Sequence, residues 1–178
     1  MPRLKRADWE ADSSLAPVVA KILQHRPYLG ELYPMLLNSP PIAEALLEFG
    51  TAVRQKATLD GKIRELAICR VGLLLKARYE VYRHEEIALE QGVSREKLDA
   101  LGAWQTSSAF DAREHAALAY AEAITTDVTV EESTFDALRA FFSEREILEL
   151  TVTVAYYNMI CRILVALQIE APHPVRSH

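Results

Sequence analysis

Three boxes of the form Asp/Ser/Thr-x-x-Glu stand directly ahead of apolar runs with helical spacing, and they leave this chain little choice but helix. Asp111 with Glu114 opens a run to Thr126, and Thr129 with Glu132 opens the next. Ser143 with Glu146 opens a long run reaching about Val165. In such a box the first side chain takes a first-turn backbone N–H and the glutamate reaches back to the cap's own N–H. No segment shows convincing strand alternation, so the expected fold is all-α.

The remaining punctuation agrees. Ser13 or Ser14 caps a helix carrying Leu15, Val18, Val19, Ile22 and Leu23, ending near Pro27. A short helical piece spans 28–37, and Pro41 suits the first turn of the helix after it. Asp60 opens a helix carrying Ile63, Leu66, Ala67, Ile68, Val71, Leu74 and Leu75. A break near Lys76 and Ala77 leads to a helix over about 78–91, with Gly92 in the left-handed C-terminal position. Ser94 starts a short helix to Leu101. The expected organisation is a loose arm at 1–12, one helical domain at 13–170 and a tail at 171–178. The final helix is apolar on most faces, which suits a central element that is also shared with a neighbouring subunit.

With 178 residues, 50% of them hydrophobic and 25% charged, the chain has the makings of a real core. Net charge is −5 with no basic block, which argues against nucleic acid as a partner. The uncharged apolar run from Leu150 to Cys161 falls short of the ~20 residues a membrane span needs. No apolar stretch follows the first basic residues, so no secretory signal is expected and the location reads as cytoplasmic. Cys69 and Cys161 each sit inside an apolar helical pattern and read as buried thiols, not as a reactive pair.

Chemistry concentrates in two consecutive helices. Glu80 and His84 are four apart and share a helix face. A carboxylate at that spacing can bind one ring nitrogen and leave the other facing a substrate. Glu65, among Ile63, Leu66, Ala67 and Ile68, lies on or beside an apolar face, where a carboxylate must be protonated or paired. Two acids and an imidazole can move protons with no cofactor. The competing readings are an ordinary surface ion pair for Glu80 and His84, and a solvent-facing first-turn acid for Glu65.

An anionic substrate fits the surroundings. The second helix starts near Tyr79 and Glu80 and offers backbone N–H groups. Lys76, Arg78 and Arg83 surround that end. Asn158 and Arg162 interrupt the apolar last helix, Arg162 as a ligand contact or as an internal salt bridge to Glu65. His25, His115, His173 and His178 carry no signal. A metal held by Glu65, Glu80 and His84 is the weaker reading, since no second histidine stands near.

These residues resemble the carboxymuconolactone decarboxylase family, which includes alkyl hydroperoxidase D. The resemblance runs from Ser39-Pro40 through Leu59-Asp60-Gly61-Lys62-Ile63-Arg64-Glu65 to Tyr79-Glu80, His84, Ala88 and Gly92-Val93-Ser94. It continues in Phe142-Ser143 and in Tyr157-Asn158 with Arg162. It implies a multi-helix bundle of the alkyl hydroperoxidase D type that oligomerises through helices, as a dimer, trimer or hexamer. Hydroperoxidase members carry Cys-x-x-Cys, a histidine four residues after it and a glutamate twelve before it. Those positions fall on Ala77, Glu80, His84 and Glu65 here. The histidine and glutamate are kept and both cysteines are gone, which removes the nucleophile of thiol-based peroxide reduction.

The lactone decarboxylase branch is similar in lacking the pair. By that resemblance His84 moves a proton, Glu80 orients it or acts as a second acid/base, and Glu65 tunes the local pKa. Tyr79, Arg78, Asn158 and Arg162 would bind a small organic acid or lactone. The expected function is a cofactor-free lyase or isomerase. The alternatives are an antioxidant of the peroxiredoxin type, as the family label has it, and a non-catalytic oligomeric binding module.

Overall fold

A computed structural model describes residues 2–171; His173, His178 and all of the expected tail except Ala171 lie outside them. Among the described residues the regular secondary structure is helical. The α-helices are α1 (Ala16–His25), α2 (Leu32–Leu36), α3 (Pro40–Thr51), α4 (Gly61–Leu74), α5 (Arg78–Glu90), α6 (Arg95–Ala100), α7 (Ala112–Thr126), α8 (Glu132–Arg139) and α9 (Glu144–Leu167). The chain divides into two compact units, Met1–Ala57 with Ala166–Glu170, and one built on Thr58–Val165.

The first unit packs α1, α2 and α3 around Ile22, Leu37, Ala43 and Leu47. Asp12, not Ser13 or Ser14, caps its start, accepting the Ser14 N–H at 3.0 Å. The arm expected to be loose is tied down. Arg3 N–H donates to the Leu167 carbonyl at 2.9 Å and Ala7 N–H to that of Pro34 at 2.9 Å. After α3 the chain widens into a π-turn over Ala52–Lys56 before the second unit begins.

In the second unit α4 packs against α5 and α7. Their shared core joins Leu66, Cys69, Ala88, Leu98 and Leu118. Asp60 caps α4 as expected, accepting from Lys62 and Ile63 N–H at 2.9 and 3.2 Å. α4 ends with Lys76 at φ 57°. Ala77 N–H donates to the Gly72 carbonyl and Lys76 N–H to that of Leu73, which satisfies two of the carbonyls that a helix end orphans. α5 ends the same way at Gly92, φ 88°, where the left-handed conformation is free of strain.

Two of the three boxes form. Glu114 N–H donates to Asp111 at 2.8 Å while Asp111 N–H donates to Glu114 at 2.9 Å. Ser143 and Glu146 exchange the same bonds at 2.8 and 3.3 Å. The Thr129 box does not form. Val128 takes φ 67°, the Thr129 hydroxyl turns back to the Asp127 carbonyl, and α8 starts at Glu132 with Glu131 as its cap. A chain reversal at Val128 thus displaces the helix start by two positions.

α9 exceeds the uncharged run because Glu144, Arg145, Glu146, Glu149 and Arg162 lie on the same helix. By length and composition alone it could cross a membrane, but half of that stretch is buried inside the protein. Leu148, Met159 and Val165 remain on its exposed side.

Candidate functional site

Gly72 brings the two site helices together. A Cβ there would stand 2.9 Å from Val81 Cγ2 and 3.7 Å from Glu80 Cβ. Its absence lets the first turn of α5 lie directly on α4, so Glu80 and His84 face the side of α4 that carries Glu65. A glycine inside an apolar helical pattern was the available sequence signal for this contact.

The three expected acid/base residues meet. His84 Nδ1 is 2.6 Å from Glu65 Oε2, and His84 Nε2 is 3.0 Å from Glu80 Oε1. Glu65 is 0% exposed, and Glu80 and His84 are each 4% exposed. Neither a surface ion pair nor a solvent-facing first-turn acid describes this geometry. The expectation that one ring nitrogen stays open is also overturned. Glu65 holds one nitrogen and Glu80 the other, because α4 supplies a second carboxylate that the spacing within α5 does not reveal.

Arg64 completes the cluster, its Nε donating to Glu65 Oε1 at 3.0 Å. Both Glu65 oxygens are therefore occupied, as a sealed carboxylate requires. Sequence reasoning missed Arg64, since neighbours along a helix point apart; the signal was a charged pair, Arg64-Glu65, inside an otherwise apolar helix. Tyr157 of α9 sets its ring edge-on to the imidazole with centroids 4.8 Å apart.

The electrostatics follow from these contacts. Burial alone would lower the affinity of His84 for its proton, but the charges and hydrogen bonds of Glu65 and Glu80 outweigh it, and the imidazole titrates above its usual range. Burial pushes the Glu65 carboxyl up, yet His84 and then Arg64 hold it below the usual carboxylate range. Of the two outcomes open to a buried acid, Glu65 takes pairing.

The expected substrate contacts are more dispersed. Tyr79 is buried in the first turn of α5, whereas Arg78 beside it is exposed. The Arg78 and Glu80 N–H groups donate to the carbonyls of Lys76 and Ala77 at 3.1 and 2.9 Å, so these two are not free to receive an anion. Arg162 is exposed and does not pair with Glu65; it donates to Asn158 Oδ1 at 2.6 Å. Asn158 is buried and donates to Thr125 Oγ1 and to the Val154 carbonyl. These two residues bind each other one turn apart on α9. Among the described residues no group of three His, Cys, Asp or Glu side chains is arranged to hold a metal. Both thiols are buried and unbridged.

Residues 40–123, which contain this cluster, match the model of the carboxymuconolactone decarboxylase family. Over that stretch the chain is similar to that family. No curated protein matches it in sequence. Its fold is shared with an uncharacterised peroxidase-related protein from Silicibacter sp. TM1040, at TM-score 0.81 and 17% identity over 94% of this chain and 90% of that one. A peroxidase-related protein from Ralstonia eutropha JMP134, described as an alkylhydroperoxidase AhpD core, gives TM-score 0.81 and 16% identity over 95% and 91%. A cysteine-to-alanine variant of the debrominase Bmp8, in complex with 2,3,4-tribromopyrrole, gives 0.78 and 24% over 96% and 91%. At these identities the likeness establishes the fold, an all-α bundle of the AhpD type.

Proposed function

We propose that this protein, similar over residues 40–123 to the carboxymuconolactone decarboxylase family, is a cofactor-free acid/base enzyme, of decarboxylase or isomerase type, acting on a small organic acid or lactone. The observation that carries the reading is the buried imidazole clamped between two carboxylates. A low-dielectric cluster of this kind holds a proton on the imidazole and can pass it between the ring and its carboxylates. Thiol peroxidase chemistry fits these side chains poorly. Ala77 and Glu80 stand where hydroperoxidase members carry cysteine, and burial pushes both the Cys69 and Cys161 thiols up. The apolar side chains exposed on α9 support a homo-oligomer joined through that helix.

The test is a thermal-shift screen of small aromatic and lactone acids, followed by product analysis on every compound that stabilises the protein. Turnover by the wild type that falls at least about 100-fold in His84→Gln, with the variant still folded, is the expected result. Turnover unchanged in that variant removes the cluster from the chemistry.

A further inference from the structure

We infer that Glu80, rather than His84, exchanges the proton with substrate, and that the substrate is a neutral carbonyl compound with an acidic C–H, turned over through its enolate. The inference rests on the acid/base reading above and assigns it a working group and a substrate class.

Occupancy selects the group. His84 has no ring nitrogen left, since Nδ1 and Nε2 are both held by carboxylates at 2.6 and 3.0 Å. Glu65 has no oxygen left, because Arg64 and His84 take one each, and it has no exposed surface. Glu80 gives Oε1 to His84, and its bond to His84 does not use Oε2. Glu80 also keeps 4% of its surface open. Among the described residues Oε2 is thus the carboxylate oxygen of the cluster that no donor holds, on the carboxylate of the two that is not wholly sealed.

Charge selects the substrate. With His84 protonated, Arg64 and His84 carry two positive charges against the two negative charges of Glu65 and Glu80, so the resting cluster is neutral. A neutral carbon acid enters such a site with no electrostatic penalty. Its C–H bond then breaks, the proton forms an O–H bond at Glu80 Oε2, and the bonding pair stays on the substrate as an enolate. The cluster becomes singly positive as the substrate becomes singly negative, so attraction grows along the reaction, as transition-state stabilisation requires. Return of the same proton to a different carbon completes an isomerisation with no co-reactant. A substrate that enters as an anion must instead leave water for a buried site with no net countercharge, and its enolate is a dianion, which is intrinsically harder to form.

The experiment follows carbon deuteration and double-bond migration by proton NMR in D2O with two probes of one skeleton, neutral α-angelica lactone and anionic levulinate. The expected result is acceleration over buffer for the lactone and none for levulinate, with the lactone rate lowered about 100-fold or more in Glu80→Gln. Glu80→Asp, which keeps the carboxylate, should retain part of the rate, so that a folding defect in the amide variant is recognised. Exchange of levulinate in preference to the lactone overturns the substrate class and leaves the acid/base reading standing. A full lactone rate in Glu80→Gln, lost in His84→Gln, overturns the assignment of Glu80. Exchange of neither probe overturns this inference, while turnover in the screen of organic acids would still uphold the broader reading.

Discussion

The Glu65 carboxylate and the His84 imidazole lie 2.6 Å apart on separate helices, and Glu65 has no other way to be charged where it sits. Glu65→Gln keeps the shape and removes the charge that both Arg64 and His84 use. Breaking one partner out of a buried ionic cluster costs about 3–5 kcal/mol, since the remaining charges stay desolvated. Urea unfolding of Glu65→Gln should show a loss of that order, with an unchanged denaturant slope. A loss under about 1 kcal/mol would mean that water already reaches the pair.

The same pair fixes a pH window. The His84 pKa is raised above the usual 6.5, so its contribution to stability is complete below 6.5 and is lost as pH rises through the higher folded value. The Glu65 pKa is lowered below the usual 4.5, so its contribution is complete above 4.5 and is lost as pH falls through the lower folded value. Stability from the cluster should therefore be greatest between 4.5 and 6.5 and decline on the alkaline side. Thermal unfolding across pH 4 to 9 would show this, and His84→Gln should flatten the alkaline limb.

Much of this was legible in the sequence because local rules decide helix ends. Asp60, Gly92, Ser94 and the Asp111 and Ser143 boxes act within one turn, and their positions hold. Thr129 failed because Val128 takes the left-handed conformation, which a valine does not announce. In the site, the spacing of Glu80 and His84 fixed their common face. What spacing could not tell is which groups arrive from another element. Glu65 taking the second ring nitrogen, Arg64 closing the far oxygen, and Arg162 turning to Asn158 instead of Glu65 are all tertiary facts.

Gly72 is the contact on which the site geometry turns. In Gly72→Ala the new methyl meets Val81 Cγ2 at 2.9 Å and the Val81 backbone nitrogen at 3.4 Å, so α5 must move away from α4. Overpacking typically costs about 1–3 kcal/mol, and better helix propensity returns up to about 1 kcal/mol. A net loss of about 1 kcal/mol is expected in urea unfolding. The histidine side-chain NMR shifts of His84 should move as well, reporting a longer bond to Glu65. A stabilised variant with unmoved His84 signals would show that the two helices are not in tight contact.

The two cysteines separate the acid/base reading from a peroxidase. Cys69 is 1% exposed and Cys161 0% exposed. Burial pushes the Cys69 thiol well up, reinforced by the charges of Glu65, Glu85 and Glu80; burial and then Glu80 do the same to Cys161. Only the thiolate attacks a peroxide or a disulfide reagent. The native protein should therefore leave an aromatic disulfide reagent unreacted over the time in which the guanidinium-unfolded chain releases two thiols. Hydroperoxide consumption with a dithiol donor should stay at the buffer rate, and Cys69→Ser and Cys161→Ser should leave it there. Rapid labelling of the native chain, or peroxide turnover abolished by Cys69→Ser, would mean that a buried thiol opens to solvent often enough to carry redox chemistry, and the sulfur-free relay would lose its claim on the site.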